Sequence, residues 1–115
     1  NIEPEEICAL NKKEVVFLDV RTTEEFNGTA EQKFGAINNA VNIPVQELEE
    51  RIKELEKYKN KKLVVYCSHS RRSPRASYML TQAGFKHITN MNGGMSMWKE
   101  KVKDEKCNET LFVKQ

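Results

Sequence analysis

Short apolar runs alternate along this chain with stretches of helical period, and the two patterns place its elements. Val15-Val16-Phe17-Leu18, continued to Val20 with only Asp19 interrupting, is too short for a helix. It is also too uniformly apolar for a strand with one wet face, which predicts a strand over 15–20 covered on both sides. Residues 40–43 predict a second short strand, stopped by Pro44, whose missing N–H cannot extend a central strand. Leu63-Val64-Val65-Tyr66 is the third, delivering Cys67 at its C-terminal end, and 87–91 is the fourth. Between them, Val45, Leu48, Ile52 and Leu55 recur at spacings of three and four, with Glu49, Glu50, Arg51, Lys53 and Glu54 on the other face, as in a surface helix with one buried stripe. A further helix runs from Ser73 or Pro74 to Ala83, burying Ala76, Met79, Leu80 and Ala83, and Gly84 closes it with a left-handed cap. Shorter helices are expected after Pro4, after a cap at Thr22 or Thr23, and around Met95, Trp98 and Val102. From Asp104 the period is lost, so 1–103 form the domain and 104–115 a tail that either docks through Leu111-Phe112-Val113 or frays.

Strands separated by helix-length segments imply parallel pairing through right-handed crossovers. The expected fold is α/β: three layers, with a central parallel sheet of four to five strands and helices on both faces. Ligands of such folds bind beyond the carboxyl ends of the strands. Those ends carry Asp19-Val20-Arg21 and Cys67-Ser68-His69-Ser70-Arg71-Arg72-Ser73, so the two segments can share one rim.

Composition narrows the chemistry. The 115 residues suit one domain. Hydrophobic residues at 38% and charged residues at 31% describe a chain that folds. A net charge of +2 gives no surface for wrapping a polyanion, so no nucleic-acid partner is expected, and no apolar run is long enough for a membrane span. Cys8, Cys67 and Cys107 are odd in number and show no C-x-x-C pairing, so neither a disulfide framework nor a zinc site is expected; Cys8 is read as core and Cys107 as a tail thiol. A reactive thiol suits the cytoplasm, while a first residue other than Met leaves a periplasmic or secreted location open.

Cys67 stands on a loop that runs from a buried strand into a helix N-terminus, where N–H groups and the helix dipole favour an anion. Arg71, Arg72 and Arg75 add fixed positive charge, so thiolate is the expected form. A pKa drop of two units would raise the thiolate fraction at neutral pH about 25-fold, yet weaken the nucleophile about eightfold, a net gain of only about threefold. Preorganised donors for the substrate anion and its departing oxyanion therefore have to supply most of the rate.

Val16–Arg21 as V-F-L-D-V-R, Gly35–Pro44 as G-A-I-N-N-A-V-N-I-P, the loop C-S-H-S-R-R-S at 67–73, and Gly93-Gly94 followed by Trp98 together resemble a single-domain rhodanese, a sulfurtransferase. The resemblance implies transfer of a sulfane sulfur from thiosulfate or a similar donor to a thiol or cyanide through a persulfide on Cys67, with no metal or organic cofactor. It implies that Arg72 binds the sulfonate oxygens, that the segment Ser68, His69, Ser70, Arg71, Ser73 supplies the anion cradle, and that Asp19 and Arg21 form a buried pair, with Arg21 supporting the loop backbone. The partners it implies are a small sulfur-containing anion and a thiol or cyanide acceptor, a protein thiol included. The six residues from Cys67 to Arg72 match the sulfurtransferase loop; phosphatases of the related type need C-x5-R, and that position is Ser73 here. Two positions depart from the family pattern. Ser70 replaces the usual Gly, at a cost of about 1–2 kcal/mol if the backbone there is left-handed, and Ala36 stands where His is common. The alternatives are a non-catalytic or sulfur-carrier module using the same loop and, more weakly, a phosphatase or arsenate reductase. Gly93-Gly94 and Trp98 are read as turn and packing.

Overall fold

A computed structural model describes residues 1–115. Four parallel strands form its centre, in the order β3-β1-β4-β5: β1 Val15–Asp19, β3 Val41–Asn42, β4 Lys62–Tyr66 and β5 Ile88–Asn90. The register pairs Phe17 with Val64 and Val65 with Asn90. The period-two alternation of side chains sends Phe17, Val64 and Tyr66 into one core and Leu18, Leu63, Val65 and Cys67 into the other. The helices α3 (Leu48–Arg51) and α4 (Arg72–Gln82) contribute to the second core, whereas α1 (Pro4–Ile7), α5 (Trp98–Lys101) and α6 (Glu105–Leu111) contribute to the first. The remaining helix, α2 (Thr23–Asn27), follows β1 at the sheet's C-terminal rim.

The stripe Val45–Leu55 is not one α-helix. It forms a 3₁₀ turn at Val45–Glu47, α3, and a 3₁₀ segment Ile52–Tyr58. Ile52, Leu55 and Tyr58 all pack towards the second core at intervals of three, which is the 3₁₀ repeat, so the tighter helix is the one that aligns them.

The tail docks. After α6 the chain forms β6 (Phe112–Val113), antiparallel to β2 (Ala36–Ile37), a second small sheet absent from the expected fold. Phe112 stacks on the Trp98 ring, and the Trp98 indole N–H donates to Asn108 Oδ1 at 2.7 Å. Cys8 and Cys107 form a disulfide, with Cα atoms 5.6 Å apart, which corrects the reading of both as unpaired. The odd count misled because the leftover thiol is Cys67.

Candidate active site

β4 ends at Tyr66, and residues 67–71 turn the chain into α4. Cys67 is fully buried, with Sγ 3.4 Å from Ser73 Oγ. Burial pushes the thiol pKa up, but the Ser73 hydroxyl and the backbone N–H groups of Ser73, Arg72 and Arg71 favour the thiolate more strongly. The net position is below the ordinary thiol value.

Ser70 aims those N–H groups. Its φ of 59° is left-handed, and Arg71 follows at φ −100°, ψ −43°. A left-handed residue followed by a right-handed one turns successive N–H groups to one side, forming an anion nest. Ser70 Oγ accepts a hydrogen bond from Asn90 Nδ2 at 3.1 Å.

Arg72 does not stand free above the nest. Its Nη1 and Nη2 donate to Glu25 Oε1 and Oε2 at 2.7 and 2.9 Å, and Ser68 Oγ donates to Oε2 at 3.1 Å. The sequence reading did not single out Glu25. It completes a capping box with Thr22, a Thr-x-x-Glu signature that marks a helix start and gives no hint that the carboxylate also reaches the Cys67 loop. The Arg72 hydrogen bonds, helped by those from Thr22 and opposed by burial, hold the Glu25 carboxyl at about 2. The ionised clamp therefore stabilises the fold fully above the ordinary value of 4.5 and is lost as pH falls towards about 2. Glu25→Gln should remove that acid dependence and lower stability by about 1–2 kcal/mol, the low end for charge-assisted hydrogen bonds because both side chains keep some solvent contact. It should also lower the Cys67 pKa by leaving Arg72 unneutralised. Urea unfolding at pH 3 and 7, with the pH profile of thiol alkylation, checks both expectations.

Gly94, read from sequence as a plain turn, lies against the loop. A Cβ there would fall well inside 3.0 Å of the Cys67 and Ser68 carbonyl oxygens. Those carbonyls accept from the N–H groups of Met95 and Ser96, both at 2.9 Å. The Gly-Gly turn is thus the floor on which the loop sits.

Asp19 and Arg21 form the expected buried pair, Nε to Oδ1 at 3.0 Å and Nη2 to Oδ2 at 2.7 Å. The support that Arg21 was expected to give the loop goes elsewhere: Nη2 donates to the Gly35 carbonyl at 3.0 Å, fixing the segment before β2. Tyr66, one residue before Cys67, braces the adjoining strand β2 by accepting from Ile37 N at 3.1 Å. His69 is exposed with its ring edge-on to Phe34, Arg71 faces solvent beside it in the loop, and Arg75 is exposed on α4, where it lines a groove with Glu49, Ile52 and Tyr78.

A rhodanese-like domain model matches residues 5–101, which include all four strands of the central sheet and every loop just described. The chain belongs to the rhodanese-like family. Among solved structures it is similar to a rhodanese-related protein from Thermoplasma volcanium, with a TM-score of 0.74 and 37% identity over 88% of this chain and 91% of that one. The thiosulfate sulfurtransferase PspE of Escherichia coli is 33% identical over 87 residues, 76% of this chain and 78% of PspE. A tRNA uridine(34) hydroxylase of Cytophaga hutchinsonii is also 33% identical, over 83% of this chain but only 30% of its own length. The rhodanese-like fold thus serves within proteins of more than one activity.

Proposed function

We propose that this protein is a sulfurtransferase that carries sulfane sulfur as a persulfide on Cys67. The observation that carries the reading is a buried Cys67 sulfur 3.4 Å from the Ser73 hydroxyl, at the start of a loop whose left-handed turn at Ser70 leads into the N–H groups of Arg71, Arg72 and Ser73, which lower its pKa despite burial. The Cys67 thiolate attacks the outer sulfur of thiosulfate or a similar donor. The new Sγ–S bond forms as the donor's S–S bond breaks, and sulfite leaves with the electron pair. Cyanide or a thiolate then attacks the outer sulfur, takes it, and returns Cys67 as thiolate. The N–H nest favours negative charge at every stage. Arg72, held by Glu25, acts through orientation and a largely balanced charge. Cys67 exposes no surface, so a donor reaches it only when its covering residues move.

The balanced Arg72 favours a second reading, a carrier module charged by a partner protein, since a neutralised guanidinium attracts a small dianion less strongly. Intact mass after incubation with thiosulfate, before and after cyanide, separates the two. Sulfur transfer from the small donor requires a gain of one sulfur that cyanide removes and that Cys67→Ser abolishes. No gain from thiosulfate, with gain from a persulfidated protein donor, selects the carrier.

A further inference from the structure

We infer that Asn90 is a positioning residue of the sulfur site: through Ser70 it holds the left-handed turn that aims the loop N–H groups at Cys67. Asn90 ends β5, paired in register with Val65, two residues before Cys67. The residue is 7% exposed, and its side chain makes one hydrogen bond, from Nδ2 to Ser70 Oγ, while its Oδ1 is buried without a partner. The amide's only hydrogen-bonding service is therefore to the loop.

Ser70 needs that service. It is one of two non-glycine residues with positive φ, and L side chains disfavour that region. The other, Asn39, is a type that tolerates it. With serine at this place, a tether on Oγ fixes a conformation that glycine would adopt freely, and β5 supplies the tether from a rigid sheet. The nest at Arg71, Arg72 and Ser73 begins at this residue, so slack at Ser70 turns N–H groups away from the sulfur.

The inference rests on the sulfur-transfer reading only for its consequence in turnover; its primary readout is the thiol itself. Cys67 is the single free cysteine, so alkylation by iodoacetamide, followed by intact mass from pH 5 to 9, reports one group. Asn90→Ala and Ser70→Ala should move the inflection upward, with about a three- to tenfold loss in the acid dissociation constant of the thiol, the size of one hydrogen bond expressed as a ratio; the alkylation rate itself changes less, because the less acidic thiol is the stronger nucleophile. The double variant S70G/N90A should return most of that loss, because glycine needs no tether. A wild-type profile in a cooperatively folded N90A protein overturns the inference, as does an S70G/N90A profile no better than that of N90A. Should N90A fail to fold, S70A against S70G decides: the shift must appear with alanine and be absent with glycine, and equal behaviour of the two overturns it. A wild-type protein that accepts no sulfur but shows these profiles removes the sulfurtransferase reading and leaves the positioning role standing.

Discussion

Gly94→Ala should slow sulfur loading of Cys67 about a hundredfold, the scale of a misplacement of about 1 Å at a reacting group, and lower stability by about 3–5 kcal/mol from overpacking plus a strained positive φ. The new methyl group would meet the carbonyl oxygens of Cys67 and Ser68, which are backbone and cannot rotate aside. Relief requires the loop to lift, breaking the bonds from Met95 N and Ser96 N that now orient those carbonyls. Lifting the loop changes where the N–H groups of Arg71, Arg72 and Ser73 point, so loading and thiol pKa should move together. Gly93→Ala is the matched control. Its φ of 78° is also positive, without the φ 65°, ψ −166° combination that makes Gly94 a position essentially reserved for glycine, and its Cβ would meet only the Met97 side chain, at 2.6 and 3.1 Å. Met97 Cγ must swing aside while its Cβ is fixed by the backbone, so stability should fall by about 2–3 kcal/mol, but no atom of the Cys67 loop is touched and loading should change little. Stopped-flow loading and urea unfolding of both variants check the contrast; equal loading defects would show that the contact with the Cys67 and Ser68 carbonyls is not responsible.

The division between what the sequence reveals and what it hides follows from the range of each interaction. Strand β4, the turn at Cys67 and the cap at Gly84 are local, written in a run of four apolar residues, a change of period and one glycine, and all are legible. The family pattern adds the D-V-R pair and the loop length. Glu25 and Arg72 stand 47 positions apart, Asn90 and Ser70 20 apart, and nothing in their neighbourhoods announces a partner. Arg21 shows the limit of carrying a role over by motif. Its buried pairing with Asp19 is as expected, but the remaining donor goes to Gly35, because the chain before β2 passes directly over it. The 3₁₀ stretch at Ile52–Tyr58 illustrates another limit, since spacings of three and four fit either helix until Tyr58 is known to be packed inward.

The Cys8–Cys107 disulfide is the other place where large effects are expected, and it was hidden for the same reason: its partners are 99 positions apart. In the chain-entropy account, closing a loop of that size removes about 4.7 kcal/mol of disorder from the unfolded state. The double variant Cys8→Ser/Cys107→Ser should therefore unfold about 10–20 °C lower than wild type, and reductant should lower wild type to the same point while leaving the variant unmoved. A variant within about 2 °C of wild type would mean that the docked tail, through β6 and the Phe112–Trp98 stack, is held without the bridge. The consequence reaches the site. Past β6, Gln115 Nε2 donates to the Glu25 and Phe26 carbonyls at 2.8 and 2.9 Å, and its Oε1 accepts from Gly35 N at 3.1 Å. The tail thus braces the helix whose Glu25 side chain holds Arg72 and Ser68. Hydrogen exchange in the reduced protein should speed first in α6 and β6 and then in α2, before the central strands respond. Since the proposed acceptors include thiols, which also reduce disulfides, turnover with a thiol should decline relative to turnover with cyanide as incubation lengthens, and the C8S/C107S variant should show no such drift.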